Sequence, residues 1–306
     1  METVIIGARG SRLAQLMVRE LVELLGSCPV VKFSVRTVVT DGDRDRQTPV
    51  QNLGGGDAGG VFTTSLEREL AAGRIDIAVH SLKDLPTAPP EGLVMAVTPR
   101  REDFRDALCG STLAALGPGA RVGTGSARRV AQLKALHPDV EVVPIRGNVP
   151  PRLAQLKSGL DAVVLAAAGL RRLGLADSIT ELLDPDVFPP SPGQGALGVQ
   201  VRAADRELLE MLDSYGDPDS DAAVRAERAL LAELHGGCSV PVGAYAVRTG
   251  DGLTLSAQVT SLDGRQRVTG TATGTDPESL GAELARTLRE RGAEAILRQI
   301  REPASR

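Results

Sequence analysis

The order of apolar and polar positions predicts alternating strands and helices over the first two-thirds of the chain. Residues 75–79 form a short apolar run, with Asp76 inside it, that indicates a buried strand, and a helical pattern precedes it at 62–72. Between positions 13 and 25 the apolar residues recur at helical spacing, and Ser11 is a suitable N-cap for that helix. The pattern also predicts strands at 3–6, 30–40, 93–98, 140–145, 161–166 and 196–202, one ending at 122, and helices at 126–136 and 151–158. This alternation is typical of parallel βαβ units.

The pattern changes after about residue 217. A helix is expected at 221–234, and three alternating strands follow it at 243–247, 253–259 and 265–273. A last helix is expected from Pro277 towards Ile300. Strands and helices grouped in this way indicate a small α+β domain.

A chain of 306 residues is too long for one ordinary core, so several domains are expected. We expect the chain to cross twice between lobes, at 99–106 and at the proline-rich stretch 189–195. We therefore predict domain 1 at 1–98 and 196–216, domain 2 at 99–195 and domain 3 at 217–306. Two crossings imply a cleft between the first two lobes. Residues 41–61 are polar and rich in glycine, which predicts a mobile loop.

Composition narrows the class of protein. The net charge is −4 and aromatic residues make up 2% of the chain, so base-stacking platforms for nucleic acid are not expected. No apolar run approaches the roughly 20 residues that span a bilayer, and the start does not resemble a signal peptide. Three widely spaced cysteines do not make a disulfide framework. A cytoplasmic protein is the simplest expectation.

Lys83 and Asp84 follow the predicted strand 75–79, and Pro86 ends the segment. Open α/β sheets bind ligands at the carboxyl ends of their strands, so this pair is placed to face a ligand. The alternative is a solvated ion pair in a loop. The position after a buried strand favours the ligand-facing interpretation, with Asp84 as the catalytic candidate.

Arginines follow other predicted strands. Residues 123–129 turn from a strand into a helix, and such a turn aims free amides at an anion; Thr124, Ser126, Arg128 and Arg129 lie there. Arg9, Arg146 and Arg152 also lie at or near strand ends. Arginine grips a carboxylate with two parallel hydrogen bonds, so the pattern predicts a ligand with several carboxylates. Each arginine taken alone is more often a surface residue.

Cys238 lies between a glycine pair and Ser239, just after a predicted helix. A lone cysteine is usually a small buried hydrophobe, but glycines beside it favour access to the sulfur. A metal pair with His235 lacks further ligands, so no metal site is predicted. A nucleophilic pair of Cys238 and His235 stays open as an alternative.

Several stretches together resemble the hydroxymethylbilane synthase (porphobilinogen deaminase) family. The most specific is Val-His-Ser-Leu-Lys-Asp-Leu-Pro at 79–86. The others are 9–11, 40–43, 101–107, 123–129, 146–149, 167–174, 193–196, 226–229 and 236–241. Their order and spacing run almost from end to end of the chain.

The resemblance implies an α/β fold of three domains: two lobes similar to type II periplasmic binding proteins, with mixed or parallel sheets, and a small C-terminal α+β domain. It implies a transferase that condenses four porphobilinogen molecules, with loss of ammonia, into linear hydroxymethylbilane. A dipyrromethane cofactor on a thioether to Cys238 would prime the chain. The product would pass to uroporphyrinogen-III synthase, and the protein would be a monomer.

The resemblance also assigns site residues. Asp84 would be catalytic, accepting pyrrole N–H groups and stabilising the cation left by deamination. The cofactor-binding set would be Cys238, Lys83, Ser126, Arg128, Arg129, Arg146, Asp43 and Thr124. The substrate-binding set would be Arg9, Ser11, Arg146, Arg152, Arg172 and Gln194. Two rival functions remain: a non-catalytic two-lobed carboxylate-binding protein, and a cysteine hydrolase that uses Cys238 and His235.

Overall fold

The computed structural model describes residues 3–26, 32–40, 63–235 and 240–301. The predicted loop at 41–61, Asp43 and Cys238 lie outside the described residues. The strands are β1 (Thr3–Arg9), β2 (Lys32–Val38), β3 (Ile77–Ser81), β4 (Leu93–Val97), β5 (Asp106–Cys109), β6 (Arg121–Gly123), β7 (Glu141–Val143), β8 (Ala162–Ala166), β9 (Glu181–Leu182), β10 (Leu197–Arg202), β11 (Val242–Thr249), β12 (Gly252–Thr260) and β13 (Arg267–Gly274).

The α-helices are α1 (Arg12–Leu25), α2 (Thr64–Ala71), α3 (Ala127–Leu136), α4 (Val149–Ala154), α5 (Ala167–Arg172), α6 (Arg206–Asp213), α7 (Pro218–Glu233), α8 (Pro277–Leu288) and α9 (Glu294–Arg301). Packing divides the chain into two units. The first contains residues 1–102 and 195–221, and the second contains 103–194 and 222–306. The three predicted domain boundaries stay a prediction.

The first unit is built on a five-stranded sheet in the order β2-β1-β3-β10-β4. Strands β1, β2 and β3 are parallel, so the carboxyl ends of β1 and β3 lie at the same edge. Strand β10 runs antiparallel to both β3 and β4. The predicted parallel units are thus confirmed for β1–β3, and β4 runs in the same direction as these strands because it is also antiparallel to β10. Apolar side chains of α1, among them Met17 and Leu21, cover this sheet.

The second unit contains another five-stranded sheet, in the order β7-β6-β8-β5-β9. Strands β6, β7 and β8 are parallel, and β5 is antiparallel to β8 and β9. Helix α3 begins after β6, where the Oγ of the N-cap Ser126 accepts a hydrogen bond from the Arg129 amide at 3.5 Å. Pro150 and Pro151 lie in the first turn of α4, as expected for residues without an amide hydrogen.

The same unit holds a three-stranded antiparallel sheet, β11-β12-β13, which packs against α8 and α9. One helix was predicted from Pro277 towards Ile300, and this was wrong. The helix is interrupted at Gly292, whose φ of 105° is a left-handed conformation that glycine adopts without steric cost. This break lets α8 and α9 both contribute apolar side chains, such as Leu284 and Leu297, to one core.

The apolar pattern did not reveal β5, β9, α5 or α6. Strand β5 is short and begins with a charged residue, Asp106, so it resembles the end of the polar run before it. Helix α5 follows β8 without a polar break, and the two read as one apolar stretch. Within the described part of the chain, no helix has the length and apolar character needed to cross a membrane.

Candidate active site and arginine cluster

Asp84 lies in a pocket of the first unit. The pocket encloses about 400 Å³ of space between atoms, part of it open to solvent. Its polar lining consists of Arg9, Ser11, Thr63, His80, Ser81 and Asp84. Three residues that the sequence singled out, Asp84, Arg9 and Ser11, are therefore brought together.

The sequence after β3 fixes the position of Asp84. The strand ends at Ser81, and a single 3₁₀ turn, Leu82–Asp84, follows it. Leu82 and Leu85 are buried on either side of the Lys83-Asp84 pair, and the Leu85 amide donates to the Leu82 carbonyl at 3.1 Å. Because both leucines are anchored in the core, the short turn holds Asp84 at the pocket while Lys83 is half-buried beside it.

Arg9 and Ser11 come from the junction of β1 and α1. Ser11 is the N-cap of α1, and its Oγ accepts a hydrogen bond from the Ala14 amide at 3.2 Å. The Gln15 side chain donates to the Arg9 carbonyl at 2.8 Å. These bonds fix the turn, so the last residue of β1 and the first turn of α1 both face the pocket.

His80 is the buried titratable group of this pocket, with 4% of its surface exposed. Burial lowers its pKa to about 4, a hydrogen bond with Gln200 opposes that effect, and the charge of Arg9 adds to it. His80 is therefore neutral near pH 7. Behind it, Gln200 Nε2 donates to the Glu67 carboxylate at 3.3 Å. A neutral imidazole adds no positive charge to the pocket that it shares with Asp84.

In the second unit, Asp106 joins two arginines in a buried cluster. The Asp106 carboxylate lies 2.7 Å from Arg128 Nη1 and 2.7 Å from Arg129 Nη2. All three side chains are nearly or fully buried. Burial alone would raise the pKa of Asp106, but the two guanidinium charges outweigh it and hold the pKa far below its usual value. The carboxylate is therefore ionised at all ordinary pH values.

The remaining hydrogen bonds of the two arginines differ. Arg129 also donates from Nη1 to the Val164 carbonyl at 2.9 Å. Arg128 uses the same nitrogen, Nη1, for Gln132 Oε1 at 3.1 Å and for the Pro189 carbonyl at 2.8 Å. Among the described residues, every hydrogen bond and ion pair of Arg128 runs through Nη1. Arg129 thus supports Asp106, whereas Arg128 keeps an edge of its guanidinium group for another partner.

Two glutamines complete the cluster. Gln132 accepts from Arg128 and donates from Nε2 to the Pro189 carbonyl at 3.0 Å. Gln194 is fully buried, and its Nε2 donates to the Phe104 carbonyl at 2.8 Å and to Asp106 at 2.9 Å. The sequence placed Gln194 in the substrate-binding set. Its described contacts place it inside the cluster, where it acts on Asp106.

Arg146 lies after β7, and its Nη1 is buried without a hydrogen-bond partner among the described residues. A buried charged donor without a partner is costly, so this atom is placed for an acceptor that a ligand would bring. Thr124 is buried in the turn between β6 and α3, and its Oγ1 accepts a hydrogen bond from the Ser126 amide at 3.2 Å. This bond shapes the turn that starts α3.

The two other arginines of the predicted substrate-binding set are half-buried. Arg152 donates from Nε to the Gly147 carbonyl at 2.7 Å, which fixes the loop that follows Arg146. Arg172 ends α5.

Sequence reasoning missed Asp106 and Gln132 as site residues. The available signal for Asp106 was its position as a charged residue directly before three apolar residues, 107–109.

No group of three or more metal-ligating side chains occurs within the ranges that the structure describes. Cys109 is a buried free cysteine of β5, and burial raises the pKa of its thiol to about 11. A thiol with such a pKa is inert near neutral pH. It therefore plays no part in either candidate site.

Two family models together match most of the chain. Residues 4–210 match the family model described as porphobilinogen deaminase, dipyromethane cofactor binding domain, and residues 222–290 match the model of the porphobilinogen deaminase C-terminal domain. A porphobilinogen deaminase of Roseiflexus castenholzii is 47% identical over 299 residues, covering 95% of this chain and 97% of that protein. One of Deinococcus radiodurans is 45% identical over 310 residues, covering 99% and 100%.

Solved structures with similar folds include the periplasmic VFT2 domain of Bordetella pertussis BvgS, with a TM-score of 0.41, 15% identity, and coverage of 70% of this chain and 86% of that one. The aliphatic sulphonate binding protein SsuA of Escherichia coli has a TM-score of 0.38, 15% identity, and coverage of 77% and 71%. The fold is α/β, with two five-stranded mixed sheets and a smaller three-stranded antiparallel sheet that packs against helices. On the family models and on relatives that match over nearly the full length, the chain belongs to the porphobilinogen deaminase family.

Proposed function

We propose that this protein is a hydroxymethylbilane synthase. It would condense four porphobilinogen molecules, with loss of ammonia, into linear hydroxymethylbilane, starting from a dipyrromethane cofactor on Cys238. Family membership supports the reaction class. The observation that carries the proposal for this chain is the pocket that holds Asp84 together with Arg9 and Ser11.

The residues present fit a dipyrromethane. Each pyrrole of such a group carries acetate and propionate side chains, so its binding site needs several carboxylate-binding donors. Arg146 has a buried Nη1 without a partner among the described residues. Arg128 makes its described hydrogen bonds and ion pair through one nitrogen alone. Arginine is the side chain best suited to carboxylates, and these two have donors to offer.

Thr124, Ser126, Arg128, Arg129, Arg146 and Lys83 would hold the cofactor, with Asp43 and the thioether at Cys238 completing the set. When bound, the cofactor supplies the pyrrole ring to which the first substrate is joined. Arg129 would act by fixing Asp106 rather than by direct contact, because its described donors are engaged within the protein. Cys238 would serve only as the tether, which makes each coupling effectively intramolecular.

Asp84 would act on porphobilinogen. Departure of ammonia leaves positive charge on the pyrrole, and a carboxylate close to the ring N–H stabilises that charge as it develops. Its side chain lines the pocket from a turn anchored by two buried leucines, so little reorganisation is needed during the reaction. Because His80 is neutral, it does not offset the negative charge of Asp84 in the shared pocket.

Arg9 and Ser11 would bind the carboxylates of porphobilinogen in the same pocket. Arg152 and Arg172 would bind carboxylates of the growing chain, because both are half-buried cations of the second unit. Gln194 would support Asp106 instead of touching substrate. Lys83 would hold a carboxylate and keep Asp84 charged.

A stepwise assay tests the reaction. Purified protein is mixed with less than one, then with two to four equivalents of porphobilinogen, and the mass of the intact protein is recorded. We expect a ladder of protein species that differ by one pyrrole unit, release of one ammonia for each unit, and a linear tetrapyrrole in solution. A protein that binds porphobilinogen without ladder and without ammonia would instead be the two-lobed binding protein.

A further inference from the structure

The cluster around Asp106 has an unequal number of charges. Arg128 and Arg129 each carry one positive charge, and Asp106 is the carboxylate in contact with both. The side chains next to it are neutral amides, Gln132 and Gln194. Counted over these described side chains, the buried group has one positive charge in excess, and burial of an uncompensated charge is costly.

Of the two arginines, Arg128 has the positive charge that Asp106 compensates less. Burial lowers its pKa, Asp106 opposes the effect, and the charge of Arg129 adds to it. Arg129 faces Asp106 with two nitrogens, whereas Arg128 faces it with Nη1 only. An anionic ligand at the remaining edge of Arg128 would balance the cluster.

Gln132 holds Arg128 in that orientation. It lies one turn further along α3, is 1% exposed, and bridges Arg128 Nη1 to the Pro189 carbonyl. The backbone of Gly243 in β11 closes the other side, since a side chain there would lie 2.8 Å from Gln132 Nε2. A glutamate would occupy the same volume and accept the same bond from Arg128, yet this position holds the neutral amide.

We propose that Gln132 is a positioning residue whose neutrality keeps the Asp106–Arg128–Arg129 cluster one positive charge in excess, so that Arg128 stays available to a carboxylate of the dipyrromethane cofactor. This inference rests on the proposed function. It goes beyond it by naming a residue that does not touch the cofactor and by explaining why an amide is needed there.

The substitution Gln132→Glu tests the charge. Apoprotein is prepared without cofactor, the preformed cofactor precursor is added, and the rate and extent of loading are read from intact mass. At pH 8 we expect loading at least roughly tenfold slower than for the wild type, since the introduced carboxylate balances Arg128 and competes with the ligand. The matched control is Gln266→Glu, the same change at an exposed position of the same unit.

A pH series separates this role from a structural one. When protonated, the introduced carboxyl group is isosteric with the amide and donates to the Pro189 carbonyl as Gln132 does, so loading should recover as pH falls. Among the described residues, the charged groups in contact with or near position 132 are Arg128, Asp106 and Arg129. On β11, Tyr245 bonds to Asp186 and the Ala246 amide donates to the buried Glu227 carboxylate, whereas β12, which packs against α3, has no titratable side chain. Asp106 stays ionised throughout such a series.

Gln132→Met supplies the second variant, because methionine has similar volume and neither accepts from Arg128 nor donates to Pro189. It should slow loading without any recovery at lower pH. Thermal unfolding of each apoprotein shows whether the fold is kept, and if Gln132→Glu does not fold, Gln132→Met still tests whether residue 132 positions Arg128. Wild-type loading in Gln132→Met, or pH-independent loading in a folded Gln132→Glu, overturns the inference. A wild-type protein that never loads overturns the proposed function instead.

Discussion

Asp84 is the residue on which the proposed chemistry depends most. Replacing it with asparagine removes the negative charge and keeps the shape of the side chain. We expect kcat to fall by roughly 10²–10³ or more, because electrostatic stabilisation of the developing cation is lost. The cofactor adduct and thermal stability should persist. The control is Asp213→Asn, an exposed aspartate of the same unit, and near wild-type turnover in Asp84→Asn would remove this residue from its role.

Arg146 offers a test of the cofactor site. Because its Nη1 has no partner among the described residues, Arg146→Leu should leave apoprotein stability nearly unchanged, within about 0.5 kcal/mol. Loading with cofactor should become at least about tenfold slower, since a charge-assisted bond to a carboxylate is lost. Arg265→Leu, at a side chain that is 85% exposed, is the control. Equal loading by both variants would contradict the assignment.

His80 makes stability depend on pH in a defined direction. Its pKa is lowered from 6.5 to about 4, so the unfolded chain binds a proton between these values and the folded chain does not. The free energy of unfolding should therefore decrease as pH falls from about 6.5 to 4. Urea titrations of the wild type and His80→Gln measure this, and the variant should lose that part of the slope. An identical slope in both proteins would show that His80 titrates normally.

At the residue scale, the sequence showed what lies next to a strand end but not what pairs across the fold. Asp84 was predictable because a buried strand and a proline bracket it. The partnership of Asp106 with Arg128 joins residues 22 positions apart, on β5 and α3, and nothing local marks it. The predicted arginine cluster near 123–129 proved to be a buried network, because Asp106 draws both guanidinium groups inward.

At the element scale, one close approach tests how the C-terminal sheet is held. Gly264, in the turn between β12 and β13, has a φ of 75°, and a side chain there would lie 2.4 Å from the Ala135 amide of α3. Gly250 has a φ of 58° with nothing within 4 Å. Gly250→Ala should cost roughly 1–2 kcal/mol of stability from backbone strain alone. Gly264→Ala should cost more, by about 1–3 kcal/mol, because α3 must move.

Urea unfolding of the two glycine variants measures that difference directly. Equal losses would show that the turn yields without disturbing α3.

The predicted helices and strands were mostly confirmed, with shifted ends, because their apolar periodicity is strong. Strand direction was not predictable for β10, since an apolar run of six residues looks the same in either direction.

At the scale of the whole molecule, the sequence indicated a chain that leaves its first sheet and returns to it. Strand β10 indeed lies between β3 and β4 in that sheet, a hundred or so residues after β4. The Leu82 amide, at the start of the turn that carries Lys83 and Asp84, donates to the Ala196 carbonyl at 3.1 Å. The returning segment therefore helps to fix that turn at the end of β3.

The measurement that tests the central claim most directly is the intact mass of protein purified from cells with a working tetrapyrrole pathway. The account predicts that the wild type carries one covalent dipyrromethane and that Cys238→Ala carries none, with both proteins folded. A wild-type mass equal to that of the bare chain, or an adduct that persists in Cys238→Ala, would contradict it.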